Sequence, residues 1–435
     1  MVIYNIYFQS ELSTSPMNKQ IEKSEHNRFF DRFIPMLKKN LTLKLSLYSG
    51  IKIFLTLTIL LFAADLLTDP RSPQYTLFFH WFRDLWADFF NPVIYVNNLN
   101  PYFALDYTSP ARISTPLHYL LFYFFHPLLS SCSTLKEMQQ DRAAICCAIS
   151  VMAATEVFLF FMLSKLCEKK NRYFLLLLLF SGINMFSVER GTLVIFTAGC
   201  IAGFLHYYQS EERKKQIFAL TLLSLAAALK VYPALFGLLL LKKRDFKGIL
   251  YCVTLTSALG FLPLFFFKDG FNSLQYLFSN LQSYRVHYKL PPGAEALIQI
   301  LRTPVPFSEP VKAVDWWLKI IDFLAIGTLI FSFINGKKEE LSFAIAAVMI
   351  LCPVGAMPYT QLYIFPSFLF FVERIRQKHT EADIFTAAGY VLLLTPLQFS
   401  ENINKTFVCT VLPLMLVIQL SKEICEIKKQ HIRSV

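Results

Sequence analysis

Runs of apolar residues long enough to cross a bilayer alternate with short polar and basic segments along most of the chain. A crossing helix needs about 20 residues at a rise of about 1.5 Å each. The pattern predicts crossings near residues 46–66, 142–166, 173–189, 191–208, 246–267, 312–334, 341–357, 360–373, 384–400 and 406–421. One further apolar stretch, 217–241, is interrupted by Lys230-Val231-Tyr232-Pro233 and is basic at both ends, at Arg213-Lys214-Lys215 and Lys242-Lys243-Arg244. It reads as a broken, re-entrant pair of half-helices that enters and leaves on one side. The stretch 113–130 is short, contains His118 and His126 and is bracketed by Pro116 and Pro127. It reads as a helix lying at the outer interface.

Composition strengthens this reading. The chain of 435 residues is 55% hydrophobic and only 17% charged, with 44 Phe and a mean hydropathy of +0.45. Soluble domains carry about 25% charge. The predicted class is an all-α polytopic membrane protein. Residues 1–44 read as a cytosolic basic tail, 45–421 as a single transmembrane domain with outer loops 67–141 and 268–311, and 422–435 as a second cytosolic basic tail.

The net charge of +12 changes meaning once it is located. Basic clusters fall at 165–172, 213–215, 242–247, 374–378 and 422–433. The positive-inside bias puts all of them, and both termini, on the cytosolic side. The excess is therefore an orientation signal with attraction to anionic membrane lipid, and nucleic acid is not an expected partner. The nine Cys contain no C-x-x-C pair, which argues against a zinc site or a disulfide framework. The P-loop, G-x-S-x-G and H-E-x-x-H signatures are also missing. No D-x-D occurs, which argues against a metal-dependent enzyme acting on a soluble nucleotide sugar.

The outer loops carry the candidate chemistry. Asp84 and Asp88 stand four apart among Trp, Phe and Leu, on one face of an amphipathic interfacial helix. A carboxylate at the lipid–water boundary can serve as general base for a hydroxyl; a solvated charge on an interfacial helix gives the same pattern. Glu189-Arg190-Gly191 makes a tight turn between two spans. It reads either as a surface ion pair or as an Arg whose planar fork faces a phosphate. Lys230 at the tip of the broken pair is an intramembrane ionisable group, costly unless it is paired or functional. Arg285, His287 and Lys289 alternate with other residues and suit an anionic headgroup, or equally a solvated loop. Glu156, Asp315 and Asp322 lie inside predicted spans, as interhelical contacts or as site residues.

Five short motifs then occur in order: Asp88-Phe89-Phe90-Asn91, Asn100-Pro101-Tyr102, Pro116-Leu117-His118-Tyr119, Glu189-Arg190-Gly191-Thr192 and Ala228-Leu229-Lys230-Val231-Tyr232-Pro233. In this the chain resembles glycosyltransferase family 87 over roughly residues 45–375. It departs at Ser114-Thr115, where the family often has Tyr-Pro, and at Thr192, where it often has Asn. The resemblance implies a GT-C glycosyltransferase fold of about ten transmembrane helices, with its site on the non-cytosolic face of a bacterial plasma or inner membrane. It implies a mannosyltransferase-like enzyme of the cell envelope that takes sugar from a polyprenyl-phosphate donor. The acceptor would be a glycolipid or polysaccharide, and no metal would be needed. The family's acidic residue maps onto Asp88, with Asp84 as runner-up. Arg190, Lys230, Arg285, His287 and Lys289 would hold the donor phosphate, and Tyr102, Tyr232 and Glu189 the sugar or acceptor. A lipid or anion transporter or flippase also uses broken helices, but the paired halves of that class are missing here. A polysaccharide ligase or polymerase is the other alternative, against which the motif order argues.

Overall fold

The computed structural model describes residues 47–69, 85–103, 112–129, 132–287, 310–353, 358–377, 380–397 and 401–434. Among them there is no strand; the protein is a stack of α-helices joined by short 3-10 turns. Five helical stretches are long and apolar enough to cross a membrane: Leu47–Thr68, Arg142–Leu166, Phe246–Phe266, Trp316–Ile334 and Val408–Lys428. Their outward faces carry bare apolar side chains, such as Phe54, Leu61, Leu250, Val253, Phe323 and Ile330. Such continuous apolar surface belongs against lipid, and the chain is an integral membrane protein.

Shorter apolar helices fill the interior. Val194–Tyr207 is buried almost all round, as expected of a helix without a polar face. It packs between Arg142–Leu166 and Arg213–Leu229. Gly199 and Gly203 allow that approach, since a Cβ at Gly199 would sit 2.7 Å from the Phe158 ring and one at Gly203 2.5 Å from Leu222. Small residues four apart are a common device for bringing helices together in lipid. Lys338–Leu351 is likewise buried along most of its length.

Two apolar stretches are broken. Residues 173–189, expected as one straight crossing, form Tyr173–Leu179 and Gly182–Arg190, bent by 48°. The cause is local: Ser181 caps a new helix, its hydroxyl accepting from Asn184 N at 3.4 Å. The stretch 217–241 forms the helix Arg213–Leu229, the 3-10 turn Tyr232–Gly237 and a last short turn, Leu238–Lys242. Lys230 is extended at the break, and Pro233 cannot donate the backbone bond that would continue the helix.

The segment that begins at Leu85 folds onto these breaks. Its helices Ala87–Tyr95 and Pro116–Tyr123 pack on each other. At about 1.5 Å per residue the second is far too short to cross a bilayer. Val96, Tyr102, Tyr119, Leu264 and Phe267 form a small buried core between this segment and the end of the Phe246–Phe266 stretch. Lys268 N donates to Leu99 O at 2.8 Å, and Asn100 Nδ2 to Asp269 Oδ2 at 2.5 Å. The following helix, Ser273–His287, is tethered by Asn280, whose Nδ2 donates to Tyr102 O at 3.0 Å and Arg112 O at 3.1 Å. Asn280→Ala removes both bonds, worth about 1–2 kcal/mol together. Hydrogen exchange is expected to quicken in 273–287 and stay unchanged in Val194–Tyr207.

Candidate active site

Asp88 sits in the first turn of Ala87–Tyr95, where the helix dipole favours a negative group. Its neighbours fix that turn. Phe89 and Phe90 are fully buried, and the Phe89 ring packs on Phe122 at 5.1 Å and Phe125 at 5.5 Å. Gln139 Nε2 donates to Leu85 O at 2.8 Å. Trp86, in the left-handed region at φ 53°, donates its N–H to Glu189 O at 2.7 Å. The start of the helix Ala87–Tyr95 is thus bonded directly to the Glu189-Arg190-Gly191 turn.

That turn delivers Arg190 to Asp88. Arg190 Nη2 donates to Asp88 Oδ1 at 2.7 Å, and the two side chains are only 18% and 22% exposed. Gly191 makes the arrangement possible in two ways. It closes the helix at φ +70°, with Thr192 N donating to Ser187 O at 3.2 Å. It also lies against the outer helix: a Cβ there would be 3.0 Å from Phe89 Cβ and 3.1 Å from Trp86 Cα. Glu189 is buried beside them.

Three further groups converge on the pair. Lys230, at the broken tip, makes no ion pair among the described residues but lies within electrostatic reach of Asp88. Tyr232 shares that reach, and its ring meets Tyr363 edge-on at 5.7 Å, where Tyr363 Oη is 2.5 Å from Thr197 Oγ1. Tyr359, in the 3-10 turn Pro358–Ile364 packed on Gly182–Arg190, is acted on by Asp88, Arg190, Tyr232 and Tyr284. The arrangement offers a carboxylate with one oxygen bonded to Arg190, two cations and a wall of tyrosines. That set suits proton transfer from a hydroxyl beside an anionic leaving group.

Asp88, Arg190, Lys230 and Tyr232 are thus brought together from residues spread over much of the chain. Tyr102 is placed apart from them, in the small outer core: its hydroxyl donates to Ser114 O at 2.9 Å and its ring meets Tyr119 at 5.2 Å. Asp84 and Lys289 lie outside the described residues, as do the side chains of Arg285, His287 and Asp315. Of the other charges inside spans, both carboxylate oxygens of Glu156 are buried without a hydrogen-bond partner among the described residues, and Asp322 is within electrostatic reach of Cys352. Sequence reasoning missed Tyr359 and Tyr284. Tyr359 stands in the gap between two predicted crossings directly after Pro358, the one signal that could have marked it.

Gly191→Ala is expected to weaken the site through the fold. The left-handed backbone alone costs an alanine about 1–2 kcal/mol, and the methyl group must displace Trp86 or Phe89. A lower melting temperature in detergent, together with loss of transfer activity, checks it.

The family model for glycosyltransferase family 87 matches residues 113–352. The match is more than half of the chain and includes Arg190 and Lys230; Asp88 precedes it and is joined to it by the bond to Arg190. No curated protein and no solved structure matches the chain. A helical membrane protein with this match belongs to glycosyltransferase family 87.

Proposed function

We propose that the protein transfers a mannose-like sugar from a polyprenyl-phosphate donor to a hydroxyl of a glycolipid or polysaccharide acceptor, on the non-cytosolic face of the membrane. The observation that carries this reading is the Asp88–Arg190 bond, with Lys230 within electrostatic reach of Asp88. It puts one carboxylate oxygen next to cations in a partly buried site.

Asp88 Oδ2 takes the acceptor proton as the acceptor oxygen attacks the anomeric carbon. The bond from that carbon to the phosphate oxygen breaks, and its electron pair leaves with the polyprenyl phosphate. A single displacement with one base inverts the anomeric configuration. Charge on the departing phosphate is met by Lys230 and by the Arg190 donors not used on Asp88. Arg285, His287 and Lys289 are assigned to the same anion from the second outer loop. These cations do without a metal what a metal would do for a diphosphate. Tyr232 and Glu189 face the sugar and acceptor, while Tyr102, its hydroxyl committed to Ser114, shapes the wall behind them. The reading places both termini in the cytosol and counts the shorter buried helices among about ten crossings of a GT-C fold.

Purified Asp88→Asn is expected to lose about a hundredfold or more in transfer from polyprenyl-phosphate-mannose. Asp84→Asn is expected to stay near the wild-type rate. Full activity in Asp88→Asn, or loss only in Asp84→Asn, contradicts the assignment of the base. A reporter fused after residue 289 is expected on the outer side, and a cytosolic signal there would contradict the orientation.

A further inference from the structure

The helix Pro116–Tyr123, packed on Ala87–Tyr95, holds a buried polar group that the reaction above does not use. His118 is 3% exposed, and both of its ring nitrogens lack a hydrogen-bond partner among the described residues. Native interiors leave few such groups unsatisfied. The ring is held by packing, against Phe122 at 4.9 Å and Tyr119 at 6.0 Å. Its helix, Pro116–Tyr123, is capped by Thr115, whose hydroxyl accepts from His118 N at 3.4 Å and donates to Leu229 O at 3.1 Å. Leu229 is the residue before Lys230. One hydroxyl therefore ties the origin of the His118 side chain to the origin of the Lys230 side chain.

The helix that carries His118 packs both on Ala87–Tyr95, which carries Asp88, and on Arg213–Leu229, which ends at Lys230, and Lys230 is within electrostatic reach of both His118 and Asp88. Burial, and then the Lys230 charge, hold the imidazole well below its ordinary pKa. It is neutral near pH 7 and offers one N–H donor and one lone pair. A ligand that satisfies this donor next to a lysine with no ion pair among the described residues must bring negative charge and an acceptor oxygen together. A neutral hydroxyl brings only the second.

We propose that His118, buried beside Lys230, donates a hydrogen bond to the phosphate of the lipid-linked donor. The inference rests on the donor class proposed above and adds a residue to it. Thr115, at a position where this chain departs from its family's usual residue, sets the distance between the two phosphate contacts by bonding to Leu229.

The test uses the full chain in detergent and a polyprenyl phosphate as probe, with donor KM measured in parallel. His118→Phe is expected to weaken probe binding about tenfold and to raise donor KM with a smaller change in kcat. His118→Gln keeps a donor and is expected to recover to within about threefold of wild type. In the unsubstituted protein, one imidazole 15N resonance is expected to shift when the probe binds and to be missing from His118→Gln, a readout that survives even if His118→Phe does not fold. Wild-type binding in His118→Phe overturns the inference, as does equal loss in both folded variants or an unshifted imidazole. Failure of the wild-type protein to bind the probe at all overturns instead the donor class, while Asp88→Asn tests the base separately.

Discussion

The bond between Asp88 and Arg190 is what the rest of the candidate site depends on. Asp88 belongs to the short helix Ala87–Tyr95 and Arg190 to the end of a bent apolar helix pair, and the two are 102 residues apart in the chain. A partly buried ion pair gains from the excluded water but leaves a costly charge behind if one partner is lost. The surrounding structure therefore has to hold both ends. Trp86 bonds the outer helix to Glu189 through its N–H, the Phe89 ring anchors it among Phe122 and Phe125, and Gly191 lets the two backbones approach. The same bond fixes one oxygen of the carboxylate.

A second constraint comes from the membrane. A helix that breaks within an apolar bundle frees backbone carbonyls that lipid cannot satisfy. At both breaks, side chains of the protein take freed carbonyls. At the bend before Gly182, Asn184 Nδ2 donates to Leu179 O at 3.2 Å and Ser181 Oγ to Leu178 O at 2.6 Å. At the Lys230 tip, the Leu229 carbonyl is taken by Thr115 of the outer segment. The second break is thus bonded to the segment that carries His118.

Long apolar helices were legible in the sequence because a helix at a water-facing surface needs a polar stripe, and these runs have none. Arg142–Leu166 falls where the pattern puts it, and the break at Lys230-Val231-Tyr232-Pro233 is announced by its proline. The bend at Phe180-Ser181 was not read, although Ser181 is an ordinary helix cap, because the apolar residues on both sides mask it. Asp88, Arg190 and Lys230 could be chosen singly, as costly charges near a membrane, but the Asp88–Arg190 pair depends on tertiary contact. Tyr102 was read as facing a sugar because an aromatic in an outer loop is ambiguous; its commitment to Ser114 is visible only in three dimensions. Tyr359 was hidden for the opposite reason, since it lies in what reads as a gap between two spans.

The central claim is that Asp88 and Arg190 act as one unit. A double-mutant cycle on transfer from polyprenyl-phosphate-mannose, using Asp88→Asn, Arg190→Gln and the double variant, tests it most directly. Residues that act as a unit show strongly non-additive losses. The double variant is expected to be about as slow as Asp88→Asn alone. Losses that multiply, with Arg190→Gln adding its full effect on top of Asp88→Asn, would contradict the account.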